Sequence, residues 1–410
     1  MFNKIKVNTD EKEIGQILER SISAIYPNKE KLKELLKSGK RLRVYTGADA
    51  TGPQLHLGHS TNFILIEKLR RLGHETIILF GDFTAKIGDP TDKSSARVKL
   101  TDAQVKENLK NWKKQVAKIV DLNNSKNPTK IVFNSKWLSK MSFTDVIELA
   151  SNFTVSQMIE RDMFSKRMQE GKPIYIHEFM YPLMQGYDSV HLGVDLEIGG
   201  NDQTFNMLAG RTLLSKMKNK EKFVISTTLL ENPITGEKLM SKSKGNYVAL
   251  NETPNDMFGK ILALPDQIII QLFKDTTFVT EEKIKEFETD LLNGRNPKEI
   301  KIILAKEIIK IYHSEKDADL AEQNFSKTFS DDEMPNDAVI KNIVAGTMLG
   351  DFLVNEKIVK SKTEFRRLVN DGAIKDMTLD QKIKDPNFTI SNDIDLKVGK
   401  KNFLKIRIIV

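Results

Sequence analysis

Residues Arg43–His59, RVYTGADATGPQLHLGH, change character twice within seventeen positions, and the fold class follows from how they do so. Leu42 and Val44 suit a buried strand, whereas Gly47, Gly52 and Pro53 are expected to end it and bend the chain. A helix is then expected to begin near His56. Gly58 lacks a side chain, so a flat group such as a purine can lie against the backbone there. His56 and His59, spaced i,i+3, project on one side of the first turn. Unpaired N–H groups and the positive end of the helix dipole gather at the same place. The stretch is a strand–loop–helix phosphate site in outline, and an anion is its expected guest.

Taken alone, HLGH equally suits a surface histidine pair or two ligands of a metal site. The metal reading loses ground because the chain has no cysteine, and His74, His177, His191 and His313 show no ligand-like spacing. What decides is Lys238–Asn246, KLMSKSKGN, a Lys/Ser/Gly-rich loop of the kind that folds over phosphates. The two stretches, in this order, resemble the HIGH and KMSKS signatures of class I aminoacyl-tRNA synthetases. With YTGAD (Tyr45–Asp49), IGDP (Ile87–Pro90), YPLMQGYD (Tyr181–Asp188) and IGGNDQ (Ile198–Gln203), the chain resembles the bacterial-type tyrosyl-tRNA synthetases over nearly its whole length. That resemblance implies an α/β fold: a Rossmann-like parallel-sheet catalytic domain, then an α-helical domain and a small α+β C-terminal RNA-binding domain.

At 410 residues the chain exceeds the size of one hydrophobic core, so two or three domains are expected. Hydrophobic residues at 39% and charged residues at 29% describe an ordinary globular protein. The formal charge of +8 permits a nucleic-acid partner without requiring one. The absence of cysteine excludes a disulfide framework, a thiolate zinc site and cysteine nucleophilic catalysis. The N-terminus has no signal-peptide core and no run approaches a membrane span, so a cytoplasmic enzyme without a membrane partner is expected.

Glu11–Ala24 and Lys29–Ser38 read as two amphipathic helices ahead of the first strand. After HLGHS a helix carrying Phe63, Ile64, Ile66, Leu69 and Leu72 closes at Gly73, and Glu75–Gly81 follows as a continuous apolar strand. Strand, helix and strand in that order imply a parallel sheet with a right-handed crossover. Thr101–Val120 reads as a helix capped by Thr101, and Lys130–Asn134 as a strand. The expected catalytic domain spans residues 1–229, with a helical connective insertion at about 143–175; by resemblance this insertion carries a homodimer contact and part of the acceptor-stem surface. Within the domain follow a helix, Ile176–Tyr187, and two strands, Val194–Ile198 and Lys222–Thr227. Residues 230–330 hold the KMSKS-like loop and a helical domain, with helices expected at Pro254–Leu262, Pro265–Phe273, Glu281–Leu292, Pro297–His313 and Lys316–Thr328. The acidic stretch SDDEMPND supplies a linker at 331–337. Residues 338–410 follow as helix, helix and short strands. Their KSKTEFRRLVNDGAIK (Lys360–Lys375) resembles the RNA-binding domain first seen in ribosomal protein S-four, which makes Lys360, Lys362, Arg366 and Arg367 the candidate tRNA contacts. A solvated basic helix is the bland alternative.

Activating an amino acid with ATP is an in-line attack of its carboxylate on the α-phosphorus, which calls for positioned positive charge and no protein nucleophile. The resemblance assigns Thr51, His56 and His59 to the phosphates and Lys242 to a late-closing loop, with Lys93 and Arg97 of IGDPTDKSSAR on pyrophosphate. The first lysine position of KMSKS is Leu239, so either Lys238 takes its place or one phosphate contact is missing. Tyr181, Gln185 and Asp188, spaced i, i+4, i+7, form a polar line on a helix, which by itself would be the wet face. By resemblance Tyr45 and Asp188 hold the tyrosine phenol, while Asp89, Tyr181 and Gln185 hold its ammonium. Gln203 lies at its carboxylate. Gly200 and Asp202 take the ribose hydroxyls, and Gly47, Asp49 and Gly58 complete the ATP site. ATP with its Mg²⁺, L-tyrosine and tRNA(Tyr) are the implied substrates, and no structural metal is expected.

Two rivals remain. Tryptophanyl synthetases and small HxGH nucleotidyltransferases share the signatures, but Tyr45 with Asp188 and the basic C-terminal domain argue against both. A non-catalytic RNA-binding relative is opposed by the intact His56, His59, Lys242, Asp89 and Asp188.

Overall fold

The computed structural model describes residues 5–90, 100–232, 235–236, 238–240, 247–330, 334, 338–399 and 402–409. Lys93, Arg97 and Lys242 lie outside the described residues, as does most of the expected linker. The chain divides into two compact units, Met1–Glu315 and Lys316–Val410.

The first unit is built on a six-stranded sheet comprising β1 (Ile22–Tyr26), β2 (Arg43–Asp49), β3 (Glu75–Gly81), β4 (Lys130–Phe133), β5 (Leu196–Gly200) and β6 (Phe223–Thr227), in the order β1-β6-β5-β2-β3-β4. β2 through β6 run parallel, with Arg43 opposite Glu75 and Thr46 opposite Ile198. β2 therefore pairs with β3 on one side and β5 on the other. The connections leave it in opposite directions, and an α/β sheet opens a ligand crevice at the carboxyl ends of such strands. Strands buried on both faces must be apolar on both, as in TIILF of β3, where every residue is buried.

The helix Leu57–Arg71 returns the chain across the sheet and buries Phe63, Ile64, Ile66 and Leu69. It stops at Gly73, whose φ of +99° favours glycine and where a Cβ would meet the Lys6 carbonyl at 2.8 Å. Thr101 caps Asp102–Val116 by accepting from the Gln104 N–H, as its position suggested. The insertion forms helices Phe143–Ala150, Val155–Ile159 and Asp162–Gln169, and it leaves Phe143 80% and Val155 69% exposed.

The segment Glu11–Ala24 is not one helix. The helix is Glu11–Glu19, and Ile22–Tyr26 is instead the edge strand β1, antiparallel to β6, so the sheet is mixed. Ser21 takes φ +60°, and the Arg20 guanidinium donates to the carbonyls of Phe273, Lys274 and Thr277 at 2.6–2.7 Å. That long-range anchor overrides the helical spacing of Ile14, Ile17 and Ile22. Gly47 likewise does not end β2, which runs to Asp49. A side chain at Gly47 would meet only ordinary contacts, and the bend falls at Gly52 and Pro53. The polar helix is longer than expected, Ile176–Leu192, and the next two strands begin one to two residues later than read. Pro265 precedes a 3₁₀ turn, Asp266–Ile268, before the helix Ile269–Thr276. Pro254–Leu262 and Glu281–Leu292 are helices, as read.

The helix Glu315–Ser330 begins on the last residue of the first unit and opens the second from Lys316. Its sheet contains β7 (Val339–Val344), β9 (Ile374–Asp376), β10 (Gln381–Lys382), β12 (Ile394–Val398) and β13 (Asn402–Ile409), ordered β10-β9-β12-β13-β7. β8 (Thr347–Met348) and β11 (Thr389–Ile390) pair separately. Ser361 caps the helix Lys362–Asn370, which buries Phe365 and Val369 and turns Lys362, Arg366 and Arg367 outward. Lys360 is exposed just before it, and Lys362 pairs with Asp351 at 2.5 Å.

Candidate active site

The carboxyl ends of β2 and β5, the start of helix Leu57–Arg71 and the middle of helix Ile176–Leu192 enclose one cavity of about 620 Å³. The structure brings Tyr45, Gly47, Asp49, Thr51, His56, Gly58, His59, Asp89, Tyr181, Gln185, Asp188, Gly200, Asp202 and Gln203 to its wall. These are all of the described residues expected in catalysis or in binding tyrosine and ATP; the expected tRNA contacts Lys360, Lys362, Arg366 and Arg367 belong to the second unit. The polar line on helix Ile176–Leu192 is therefore not its wet face: Tyr181 and Asp188 are buried and look into the cavity.

His56 is the N-cap of its helix, and its backbone N–H donates to His59 Nδ1 at 3.2 Å. The two rings lie 3.9 Å apart. A Cβ on Gly58 would come within 3.1 Å of the His56 ring and 3.3 Å of Met240, so glycine is the residue that lets these groups close on the helix start. At the same wall Lys238 lies 3.7 Å from Asp202, whereas Leu239 is 8% exposed. At the departure from KMSKS, it is thus Lys238 and not Leu239 that reaches the cavity.

At the far end Asp188 accepts from Trp137 Nε1 at 2.7 Å and Asn134 Nδ2 at 3.2 Å. Burial raises its pKa well above the usual carboxylate range, against the pull of those two donors. Tyr45 is held by Ser189 Oγ at 3.0 Å, and burial together with Glu197 and Asp188 raises its pKa well above that of a free phenol. Burial, then Asp49 and Asp89, raise Tyr181 likewise.

Asp49 accepts from Tyr181 Oη at 2.9 Å and Thr84 Oγ1 at 2.7 Å, so one of its tasks is to hold Tyr181 in place. A Cβ at Gly81 would run into Asp49 and Thr84, which fixes a glycine at the end of β3. Asp89 accepts from Gln203 Nε2 at 2.7 Å and pairs with Arg161 at 3.4 Å.

Sequence reasoning missed Thr84, Asn134, Trp137, Arg161, Ser189, Glu197 and Lys222, which hold the wall residues. Ser189 and Glu197 were within reach, since each adjoins a motif already quoted. The others sit in unremarkable segments, and nothing local marks them.

The chain matches the family described as tRNA synthetases class I (W and Y) over residues 37–330. It is 45% identical over 404 residues to the tyrosine–tRNA ligase of Carboxydothermus hydrogenoformans, covering 95% of this chain and 97% of that protein. It is 39% identical over 395 residues to the tyrosine–tRNA ligase of Thermotoga maritima, covering 95% and 96%. Among solved structures, a C-terminally truncated mitochondrial tyrosyl-tRNA synthetase of Aspergillus nidulans shares the fold with a TM-score of 0.67 at 21% identity, over 77% of this chain and 94% of that one. An Archaeoglobus fulgidus tyrosyl-tRNA synthetase does so with a TM-score of 0.59 at 24% identity, over 76% and 99%.

Proposed function

The chain belongs to the class I tRNA synthetases (W and Y), and from that premise we propose that it is a tyrosine–tRNA ligase. It activates L-tyrosine with ATP to tyrosyl-adenylate and pyrophosphate, then transfers tyrosine to the 3′-terminal adenosine of tRNA(Tyr). The observation that carries the reading is that one cavity of about 620 Å³ is lined both by Tyr45 and Asp188 and by Thr51, His56 and His59. That is one binding volume for both substrates of the first step.

Tyr45 and Asp188 bind the phenol. Asp89, Tyr181 and Gln185 bind the ammonium, and Gln203 stands at the carboxylate that attacks the α-phosphorus. Gly47, Asp49 and Gly58 form the wall beside ATP, which enters as its Mg²⁺ complex, and Gly200 and Asp202 take the ribose. His56, His59 and Thr51 donate to phosphate oxygens from the positive end of a helix, where such donors are worth most to a developing charge. Lys242, Lys93 and Arg97 add positive charge to pyrophosphate as it forms, and Lys238, which lines the cavity, takes the place of the first KMSKS lysine.

Residues 1–229 act as the catalytic domain, 230–330 carry the loop and helices, 331–337 link, and 338–410 bind RNA through Lys360, Lys362, Arg366 and Arg367. The exposed Phe143, Ile147 and Val155 support a homodimer through the insertion at 143–175. A cytoplasmic enzyme fits the homologues. Among the described residues no helix is long and apolar enough to cross a membrane.

ATP–pyrophosphate exchange with each amino acid in turn tests the reading. Exchange that depends on tyrosine is expected. Exchange with tryptophan in its place would move the chain to the other branch of the family.

A further inference from the structure

The loop between β2 and the helix Leu57–Arg71 carries Thr51 and His56, and it is gripped from outside the cavity by one stripe of a neighbouring helix. Asn108, Trp112 and Gln115, spaced i, i+4, i+7 on the helix Asp102–Val116, share one face and are all buried. None of them lines the cavity. Asn108 Nδ2 donates to the Ala50 carbonyl at 2.8 Å, Trp112 Nε1 to the Gly52 carbonyl at 2.8 Å and Gln115 Nε2 to the Pro53 carbonyl at 3.2 Å. Gln115 Oε1 accepts the Leu55 N–H at 2.9 Å, which decides which way its amide faces.

A peptide unit is planar, so a bond to its carbonyl or its N–H pins the whole unit. The units Ala50–Thr51, Gly52–Pro53, Pro53–Gln54 and Gln54–Leu55 are each pinned in this way by the one helix. Gly52 is the residue of the loop with the widest backbone freedom, and its carbonyl is the one the indole holds. The Trp112 ring is itself fixed, 1% exposed and edge-on to Phe80 with centroids 5.5 Å apart. On its other side the loop is tied by the Leu250 N–H to the Leu55 carbonyl at 2.9 Å and by Tyr247 Oη to Gln54 Oε1 at 2.8 Å.

We propose that Asn108, Trp112 and Gln115 are positioning residues that pin the backbone of Ala50–Leu55 and so hold Thr51 and His56 ready for the phosphates of ATP. The proposal rests on the reading of Thr51 and His56 as phosphate contacts and adds the side chains that act through them. Groups aimed in advance at developing charge need no reorganisation as the reaction proceeds. A loop released at Gly52 samples other conformers, and adenylate forms only from the fraction that keeps both groups in place. The loss falls on that step and leaves tyrosine binding alone, because the pinned residues Ala50, Gly52, Pro53 and Leu55 include none of those assigned to tyrosine.

The test is single-turnover formation of tyrosyl-adenylate by the full chain, with active sites counted as adenylate formed per chain and tyrosine affinity read by equilibrium dialysis. Asn108→Leu, Trp112→Phe and Gln115→Met each remove the donor and keep most of the bulk. Each should lower the rate per active site about tenfold, the scale of one net hydrogen bond, with tyrosine affinity within about twofold of wild type. A merely structural role would lower the number of active sites and leave the rate of each unchanged. In a Thr51→Ala, His56→Ala background the same substitutions should cost less than about twofold, because residues that act through those two side chains then have nothing left to position. Additive losses in that background, an equal loss of tyrosine affinity, or unchanged rates in the single variants would overturn the proposal. A Thr51→Ala, His56→Ala chain that forms adenylate as fast as the wild type would overturn the phosphate reading itself, a result distinct from additive losses on a slow background.

Discussion

Replacing Asp188 by Asn tests the tyrosine pocket at its most constrained point. The carboxylate is 2% exposed and accepts at both oxygens, from Trp137 at 2.7 Å and Asn134 at 3.2 Å. In Asp188→Asn the new amide keeps its oxygen on the shorter Trp137 bond and turns its NH₂ toward the Asn134 NH₂. Asn134 cannot turn over to meet it, because its Oδ1 accepts the Phe83 N–H at 3.1 Å and its Nδ2 also holds Thr84 at 3.0 Å. The variant thus loses the anionic acceptor for the phenol and strains the group beside it. A hydrogen bond to a charged group contributes about 1.5–3 kcal/mol. At roughly 1.4 kcal/mol per decade this predicts tyrosine binding weaker by about 10- to 150-fold.

Equilibrium dialysis with labelled tyrosine reads the affinity, and pyrophosphate exchange reads the KM values for tyrosine and ATP separately. The ATP KM should stay within about twofold, since an interaction made with one substrate should leave binding of the other alone. Phenylalanine, having no phenol to lose, should be unaffected, so discrimination falls by the factor lost on tyrosine. Unchanged tyrosine affinity would refute the assignment of Asp188. Equal losses in tyrosine and ATP would show that the substitution disturbs the whole cavity and would refute the separation of the two subsites.

Lys242→Ala should slow adenylate formation by about 2–4 kcal/mol of lost charge stabilisation with little change in ground-state ATP affinity, and Lys238→Ala added to it should slow the reaction further; pre-steady-state rates check both. His74, fully buried with its Nδ1 accepting the Leu42 N–H at 3.3 Å, has its pKa pulled down to about 4 by burial, then by Arg41. The unfolded chain therefore binds the proton first, and stability should fall as pH drops from 6.5 towards 4, by about 3 kcal/mol from this residue; urea unfolding of wild type and His74→Leu across that range should show a flatter profile in the variant. A chain ending at Asp332 should still perform tyrosine-dependent exchange but fail to charge tRNA, because phosphate contacts dominate RNA affinity. Arg366→Ala with Arg367→Ala should give a milder form, with a shallower salt dependence of tRNA binding; loss of exchange in the truncated chain would instead make residues 333–410 part of the catalytic fold.

The parts of the fold legible in the sequence are those whose cause is local. Thr101 caps a helix because its hydroxyl reaches Gln104 within one turn, and β3 reads as a buried strand because its apolar run is unbroken. The failure at Ile22–Tyr26 has a distant cause, since Arg20 reaches carbonyls more than 250 positions away and β1 pairs with β6. Helical spacing in Ile14, Ile17 and Ile22 carries no trace of that. The site divides along the same line. Residues that face the cavity sit in short motifs, because one turn of helix or one strand end presents several of them together. Tyr181, Gln185 and Asp188 are such a set.

The residues that hold those motifs in register obey a different geometry, and it explains why they stayed hidden. Five carboxylates line one cavity, and each is met by donors or cations beyond its own loop or turn: Asp49 by Thr84 and Tyr181, Asp89 by Arg161 and Gln203, Asp188 by Asn134 and Trp137, Glu197 by Lys222, Ser189 and Gln185, and Asp202 by Lys238. An acidic group taken from water must be met by donors, and in a crevice between strands these come from whichever element crosses behind it. Because the donors are in place before any ligand arrives, binding need not reorganise them, and the polarity each carboxylate shows the cavity is set in advance.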